Sequence, residues 1–189
     1  SYYDYYQPEA YLPATDTYIS KDTSINDDID RLRLRATSSL MEREDVIIVA
    51  SVSCIYGIGS PTEWKEQMLF LEVGQKIERD QILKSLIDIH YSRNDIEFAR
   101  GAFRVRGDVV EVHPAYEETA IRIEMFGDEI EKISVLNTLT GEILEEKNKT
   151  AIYPAKHFLT TAPQLEEALK NIEIELQERL AYFRSQNKL

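Results

Sequence analysis

The sequence has a single cysteine, Cys54, and no apolar run of about 18 residues, the length that a membrane span needs. One cysteine cannot form an internal disulfide, which fits a reducing compartment. The longest apolar stretch, 46–50, has only the length of a strand. No basic segment followed by an apolar core, the pattern of a signal peptide, opens the sequence. We therefore expect a cytoplasmic protein without a membrane anchor.

Motifs of common catalytic and metal sites are also missing. The phosphate-binding pattern G-x-x-x-x-G-K-[S/T] does not occur, and one cysteine cannot make a C-x-x-C pair. The histidines at 90, 113 and 157 are scattered, which favours structural or surface roles over zinc binding. An independent enzyme such as a nuclease would need clustered carboxylates or a metal set, and none stands out. We predict no catalytic residue and no metal site in this chain.

Positive charge is scarce, because 22 lysines and arginines face 34 acidic residues and leave a net charge of −12. A protein that binds DNA mainly by neutralising phosphates is usually basic. If this chain contacts DNA, base stacking on aromatic rings, or basic regions elsewhere, has to supply the affinity. The first residue is not methionine, and the last helical pattern has no stop signal. We expect an internal piece of a longer protein.

The first third of the chain is predicted to form a hairpin followed by a helix. Residues 1–23 are rich in tyrosine and interrupted by two prolines, which indicates an extended or hairpin-like segment. Apolar residues recur at helical spacing over 25–40, so we predict a helix that ends near Arg43. Ser24 and Asp27 resemble a capping box at its start.

A buried strand and a chain break are predicted next. The continuous apolar run at 46–52 suits a strand buried on both faces of a parallel sheet, which indicates α/β architecture. Glycines and the Ser-Pro pair over 57–61 suggest a linker or domain boundary. A short helix is expected over 62–70.

The remaining sequence predicts an α+β arrangement and a final helix. Residues 79–90 have helical spacing, whereas 101–154 alternate with period two around three glycine-containing turns. We predict an antiparallel meander of about four to six strands there. Thr161 and Gln164 form a capping box, and an apolar stripe then predicts a long amphipathic helix to about Gln186, docked on a core.

Tyrosine is concentrated at the start of the chain: six of the eleven fall within the first 18 residues, namely Tyr2, Tyr3, Tyr5, Tyr6, Tyr11 and Tyr18. Such a segment can build a β core, or it can present rings to bases or to a partner protein. Adjacent tyrosines place rings on both faces of any strand, unlike the alternation of a core strand. The two prolines also make it difficult for this segment to form a central strand. Both uses stay open. The acidic character of the segment favours contacts with opened DNA over binding to intact duplex.

A charged face is predicted on the meander. Arg104 and Arg106 are two residues apart and point to one side of their strand, and Arg122 and Glu124 do likewise. The residues expected to face the core are Phe103, Val105, Ile121 and Ile123. These charges suit the wet face of an antiparallel sheet. Arginines on a fixed sheet also suit bidentate pairing with the carboxylates of a partner.

Two further groups are candidates for DNA contacts. Ser51 and Ser53 end the predicted strand, where α/β sheets commonly present ligand contacts, although a plain strand-end role fits equally. Arg33 lies off the helix face that Arg31 and Arg35 share. These arginines are candidates to reach phosphate, and pairing with the nearby acidic residues over 27–30 is the alternative.

Three stretches of the sequence resemble the UvrB family of bacterial nucleotide excision repair. Residues 2–11 (YYDYYQPEAY), followed by TDTYI at 15–19, resemble the family's β-hairpin signature. Residues 45–57 (DVIIVASVSCIYG) and 103–111 (FRVRGDVVE) match the same family, and NIE at 171–173 with ERL at 178–180 agrees. The resemblance covers essentially the whole chain.

The resemblance implies roles for particular residues. The hairpin is expected to thread between the two DNA strands and verify a lesion, with Tyr5 and Tyr6 stacking on or lining the DNA. The other implied DNA contacts are Tyr2, Tyr3, Glu9, Tyr11, Tyr18, Lys21, Arg33, Ser51 and Ser53. A second domain is expected to dock UvrA through a polar surface made of Arg93, Arg104, Arg106, Arg122 and Glu124.

The resemblance also implies a mixed fold, part α/β and part α+β. Residues 1–23 would be the DNA-threading hairpin, 24–66 part of a helicase-type α/β domain, 67–158 the smaller UvrA-interaction domain, and 159–189 a helix returning to the helicase body. The intact family is an ATP-dependent, helicase-like excinuclease subunit of the SOS response.

Its implied partners are UvrA, UvrC and damaged DNA. Its cofactors, ATP and Mg²⁺, are expected outside these residues, so we expect no activity from the chain alone. A purely protein-docking module, as in transcription-repair coupling factors, is the alternative, and the tyrosine motif favours the UvrB-type reading.

Overall fold

A two-part antiparallel hairpin opens the chain in the computed structural model, which describes residues 3–55, 60–157 and 162–187. Strand β1 (Tyr3–Gln7) pairs with β4 (Asp22–Ile25), and further out β2 (Ala10–Leu12) pairs with β3 (Thr17–Ile19). Both prolines lie outside these strands, where no ladder hydrogen bond is lost. The hairpin-like prediction is confirmed over the described residues.

Helix α1 (Asp27–Glu42) follows the hairpin directly. Asn26 caps it, since its side-chain oxygen accepts a hydrogen bond from the backbone N–H of Ile29 at 2.9 Å. The predicted capping box at Ser24 is wrong, because Ser24 is paired in β4 and its backbone is extended. The predicted helix end is confirmed at Arg43, which is the C-cap.

The predicted buried strand at 46–52 is wrong. Residues 46–51 are irregular, and Val52–Ile55 forms a short 3-10 turn. Ile47 and Val49 are 92% and 95% exposed. A strand buried on both faces needs ladder partners, and no described strand pairs with this segment. The predicted linker falls largely on residues 56–59, outside the described part of the chain.

A six-stranded sheet forms the centre of the structure. Its strands are β6 (Ser92–Arg93), β7 (Ala102–Arg106), β8 (Val109–His113), β9 (Thr119–Phe126), β10 (Glu129–Asn137) and β11 (Ile143–Lys147), and their spatial order is β11-β10-β9-β8-β7-β6. Only β6 pairs in parallel, and the other neighbours are antiparallel. The predicted meander is thus confirmed over β7 to β11, whereas β6 was not predicted and the last predicted part, from 149 on, lies outside this sheet.

The segments before and after the six-stranded sheet pair with each other in a separate two-stranded sheet. Helix α2 (Pro61–Glu66) accounts for the first part of the helix expected over 62–70. The rest of that stretch begins β5 (Leu69–Glu72), which pairs with β12 (Lys149–Ile152). Trp64 of α2 is buried, with its ring stacked on Tyr153 at a centroid distance of 5.0 Å.

The hydrophobic core lies between α3 (Arg79–Asp88) and one face of the six-stranded sheet. Helix α3 confirms the helix predicted over 79–90, and its Ile82 and Leu86 are fully buried. They share the core with Phe103 and Ile123 of the sheet. Burying side chains of this size contributes about 1.5–3 kcal/mol each.

Ion pairs join α1 to the loop between β8 and β9. Arg31 contacts Glu118 at 3.3 Å, and Arg35 pairs with Glu117. From the segment between β6 and β7, Arg100 also reaches Asp28 at 3.2 Å. The predicted pairing within α1 is present between Arg31 and Asp28, at 3.8 Å. Cross-element pairs therefore fix the helix against the sheet loop.

The chain divides into two units, 1–157 and 158–189. The second unit contains α4 (Ala162–Ser185), which confirms a long final helix, while its predicted capping residue Thr161 lies outside the described residues. Four side chains of the predicted apolar stripe are more than half exposed, namely Leu165, Leu169, Ile172 and Leu176. Among the described residues, no helix combines the length and apolar character needed to cross a membrane.

Candidate functional site

The strand register aligns three charged residues across the middle of the six-stranded sheet. Glu111 on β8 lies opposite Arg104 on β7 and opposite Arg122 on β9. Neighbouring positions Phe103 and Ile123 point to the other side and are fully buried. The predicted alternation between a charged face and a core face is confirmed. We call the side that carries Glu111 the charged face.

Glu111 binds both arginines at once. Nε of Arg122 donates to its Oε1 at 2.8 Å, and Nε of Arg104 donates to its Oε2. Glu111 itself is buried, with only 4% of its surface exposed. Burial alone favours the neutral acid, but the hydrogen bonds from Arg122 and Arg104 outweigh it and hold the pKa of Glu111 below its ordinary value. The carboxylate is therefore charged at neutral pH.

Arg104 has a second neighbour that fixes it. Its Cζ lies 4.2 Å from the centroid of the Phe98 ring, in cation–π geometry. The Phe98 ring also contacts His113, with 5.6 Å between ring centroids. Arg104 is thus held by a carboxylate and an aromatic face.

The charged face carries a small open cavity of about 200 Å³. Its lining residues are Arg104, Arg106, Val109, Glu111, Arg122 and Glu124. Four of the five residues predicted to bind UvrA therefore lie around one cavity. Glu124 and Arg106 occupy the row next to Glu111, one on each side of Val109.

Arg93, the fifth predicted residue, lies apart from this cavity on the edge strand β6. Its guanidinium pairs with Asp95 at 3.0 Å. Asp95 also accepts a hydrogen bond from the backbone N–H of Val105, and that bond, followed by the one from Arg93, lowers the pKa of Asp95. Arg93 is register-paired with Phe103 of the core face, so the structure does not place it with the four charged residues around the cavity.

Glu111 and Phe98 were not predicted as functional residues. The pairing of Glu111 with Arg104 could have been predicted from the turn at 107–108, because a two-residue hairpin loop fixes the register of the two strands. The connection from β8 to β9 is longer, so the sequence does not give the pairing of Glu111 with Arg122. Phe98 lies in an irregular segment, and no sequence pattern identifies its contact.

The outer part of the hairpin presents two tyrosine rings. Tyr11 and Tyr18 lie directly opposite each other and are 56% and 63% exposed. The hydroxyl of Tyr11 donates to Asp16 at 2.7 Å, and that of Tyr18 donates to Glu9 at 2.8 Å. These hydrogen bonds raise the pKa of both phenols. Neither ring belongs to a core.

The other hairpin candidates are described only in part. Tyr3, Tyr5 and Tyr6 lie on β1, but their side chains and all of Tyr2 fall outside the described structure. Lys21 is exposed between β3 and β4. Gln7 spans the hairpin nearby, since its Nε2 donates to the carbonyl oxygen of Ser20 at 3.3 Å.

Arg33 and Ser51 meet at a separate cavity of about 540 Å³ between α1 and residues 48–54. Arg33 donates to the carbonyl of Cys54 at 3.4 Å, and Ser51 Oγ lies 3.7 Å from Cys54 Sγ. His157 also lines this cavity, whereas Tyr11 and Tyr18 do not. The side chain of Ser53 is outside the described structure.

The residues present do not fit the cofactors that the resemblance implies. The sequence has no phosphate loop, and the described residues contain no group of three or more His, Cys, Asp or Glu that could hold a metal ion.

Comparison with known proteins gives consistent matches. The family model described as the UvrB interaction domain matches residues 69–158, which include the whole charged face. UvrABC system protein B of Natranaerobius thermophilus is 65% identical over 189 residues, and that of Geobacillus kaustophilus is 62% identical over 190. The Staphylococcus aureus protein of the same name is 58% identical over 190 residues. Each match covers 100% of this chain and 29% of the relative.

Proposed function

Because the chain belongs to the UvrB family, we propose that its charged face docks UvrA during bacterial nucleotide excision repair. The residues proposed to contact UvrA are Arg104, Arg106, Arg122 and Glu124 around the cavity, together with Arg93 on the edge strand β6. Damaged DNA and UvrC are proposed as further partners of the intact protein.

The Arg104–Glu111–Arg122 row is the observation that carries this proposal. The cavity-lining side chains include three arginines and two glutamates, so the charged face is locally positive on a chain with a net charge of −12. A positive patch on an acidic protein selects an acidic partner surface and accelerates association with it. Arginine offers two parallel N–H groups to a carboxylate, which lysine does not.

The rigidity of the charged face also supports docking. Its arginines project from paired strands in the middle of a sheet, and two of them are already fixed by Glu111. Side chains ordered before binding lose less conformational entropy when a partner arrives. A partner with acidic residues at matching spacing therefore gains more from this surface than from mobile surface lysines.

Charge reversal tests the docking. The double substitution Arg104→Glu with Arg106→Glu turns two attractive contacts into repulsive ones, so we expect at least about 100-fold weaker binding of UvrA. Titration of the purified protein with UvrA measures this. The matched control is Lys84→Glu with Lys149→Glu, which changes the net charge equally at two exposed lysines away from the cavity. Unchanged binding by the arginine variant would eliminate the docking role.

A second proposed role, contact with opened DNA, belongs to the hairpin. Tyr11 and Tyr18 are exposed, and the hydrogen bonds to Asp16 and Glu9 restrain their rings. Restrained, exposed rings suit stacking with unpaired bases, and the neighbouring carboxylates disfavour intact duplex. Tyr5 and Tyr6 on β1 are proposed to act in the same way closer to the base of the hairpin.

Removal of a ring tests the hairpin. Tyr18→Ala, and likewise Tyr6→Ala, should reduce the preference for DNA with an unpaired bubble, because each stacked base contributes about 1–3 kcal/mol. Fluorescence anisotropy with bubble and intact duplexes measures the preference. Tyr18→Phe is the matched control: it keeps the ring, loses only the hydrogen bond to Glu9, and should retain most of the preference. If Tyr18→Ala and Tyr6→Ala both leave the preference unchanged while UvrA still binds, the chain acts as a docking module only.

A further inference from the structure

We propose that Glu111 is a positioning residue for partner docking. In this proposal Glu111 fixes Arg104 and Arg122 at one spacing, so that they form a preset site for a partner carboxylate beside Arg106. The inference rests on the docking function proposed above and adds a residue to it.

The geometry around Glu111 is that of a bridge. Strand β8 lies between β7 and β9, and the two carboxylate oxygens of Glu111 each bind a different neighbour: Oε2 takes Arg104, and Oε1 takes Arg122. A guanidinium carries five N–H groups, and these contacts use only some of them. The remaining donors stay available for a second acceptor.

The burial of Glu111 makes this bridge stable. At 4% exposure the carboxylate is largely out of reach of water, so its hydrogen bonds come from the two arginines. Without Glu111, Arg104 and Arg122 would be two like charges facing each other across one strand, and they would repel. Loss of one partner from a buried ionic group is unfavourable in addition, because the remaining charge is left without compensation.

The role of Arg106 differs from that of its neighbours. Among the described residues, Arg106 has no ion pair with a carboxylate, whereas Arg104 and Arg122 are both engaged by Glu111. Its charge acts on Asp95 only at longer range, where it helps to lower the pKa of that carboxyl. Two guanidinium groups held by Glu111 and a third without a close carboxylate form the surface that the partner meets.

Glu111 is itself a carboxylate within a site that is proposed to bind a partner's carboxylate, and its effect on binding can be explained in two ways. If attraction between net charges were all that mattered, Glu111 would weaken the site by cancelling part of its positive charge. If spacing matters, Glu111 strengthens the site, because it removes the repulsion between the arginines and holds their guanidinium planes. These two explanations predict opposite effects of removing the charge.

Two substitutions separate the explanations. Glu111→Gln keeps the shape of the side chain and removes its charge. If Glu111 positions the arginines, this variant should bind UvrA at least about 10-fold more weakly through faster dissociation. If only the net charge of the site matters, the variant should bind UvrA more tightly. Glu111→Asp keeps the charge but is one methylene shorter. If Glu111 positions the arginines, this variant should bind UvrA more weakly, and if only the net charge matters, its affinity should be unchanged. Surface plasmon resonance of the variant proteins against UvrA gives both rate constants.

Controls keep a failure of positioning distinct from a failure of docking. Arg106→Glu tests docking itself, and native binding by this variant would overturn the proposed function. Loss of binding by Arg106→Glu, together with native or tighter binding by a folded Glu111→Gln, would overturn positioning alone. Should Glu111→Gln lose its thermal unfolding transition, Glu111→Asp carries the test, because it keeps the charge and changes no proposed contact residue. Native affinity of that variant would equally contradict the proposal.

Discussion

At the scale of single residues, the protonation states of two buried groups in the first unit, Glu111 and His157, are determined by different neighbours. Glu111 is kept charged by two arginines. His157 is 6% exposed, its Nε2 lies 2.9 Å from Thr37 Oγ1, and its ring stacks on Trp64. Burial, and then the positive charge of Arg33, lowers the pKa of His157, although Asp30 opposes this. His157 is therefore held in its neutral form.

The neutral state of His157 predicts a pH dependence of stability. Its folded-state pKa is below that of the unfolded chain, about 6.5, so the unfolded chain takes up the proton first. The contribution of His157 to the free energy of unfolding is complete above about pH 6.5 and decreases as the pH falls toward the folded-state pKa. Urea unfolding at pH 7.5 and 5.5 measures it.

The His157→Asn variant is the comparison for this pH effect. We expect it to lose a smaller part of its stability between the two pH values than the native chain does. His113, whose pKa is also lowered mainly by burial, stays in both proteins and cancels in the difference. Equal losses in the two proteins would contradict the assignment to His157.

At the scale of elements, the tight turn of the β9–β10 hairpin depends on one glycine. Phe126 and Glu129 close a two-residue loop in which Gly127 has φ +61°. A positive φ at the first loop residue only is the arrangement of a type II′ turn, whose twist matches that of antiparallel strands. A Cβ at Gly127 would meet nothing within 4 Å, so the cost of a side chain there is a backbone cost.

Gly127→Ala should therefore lower the free energy of unfolding by about 1–3 kcal/mol, the cost of a positive-φ turn conformation for a residue with a Cβ. Chemical denaturation measures this. Asp128→Ala changes the other loop residue, which is exposed, and should shift stability by no more than about 0.5 kcal/mol. Similar effects of the two substitutions would show that φ at Gly127 is not the cause.

At the scale of the whole molecule, order is distributed unevenly within the first unit. The six-stranded sheet and α3 share one core, whereas residues 46–50 have no ladder partners among the described strands and expose Ile47 and Val49. Segments with few buried contacts and unpaired backbone open at lower free energy than core strands.

Hydrogen exchange tests this difference. The amides of β9, which has a paired strand on each side, should exchange most slowly, and those of 46–50 should exchange close to unprotected rates. Ile123→Ala, which removes about 2–5 kcal/mol from the core, should speed exchange throughout the sheet and leave 46–50 unchanged. Strong native protection of 46–50 would contradict the described conformation.

Local patterns predicted much of the fold. Period-two alternation located the meander, and helical spacing located α1, α3 and α4 to within a few residues. The exact start of α1 was missed, because Ser24 is taken into β4 and Asn26 becomes the cap. Strands β6 and β5 were missed as well, since β6 has two residues and β5 pairs with a partner far along the chain.

The sequence by itself determined which faces are charged, where the chain turns, and that tyrosines crowd a hairpin, because these features depend on neighbours a few residues away. Only the tertiary structure decided that Glu111 joins Arg104 to Arg122, that Phe98 covers Arg104, and that the apolar run at 46–52 stays exposed. Register between strands that no tight turn connects, and burial of a strand, both depend on which distant residues supply hydrogen bonds and apolar surface.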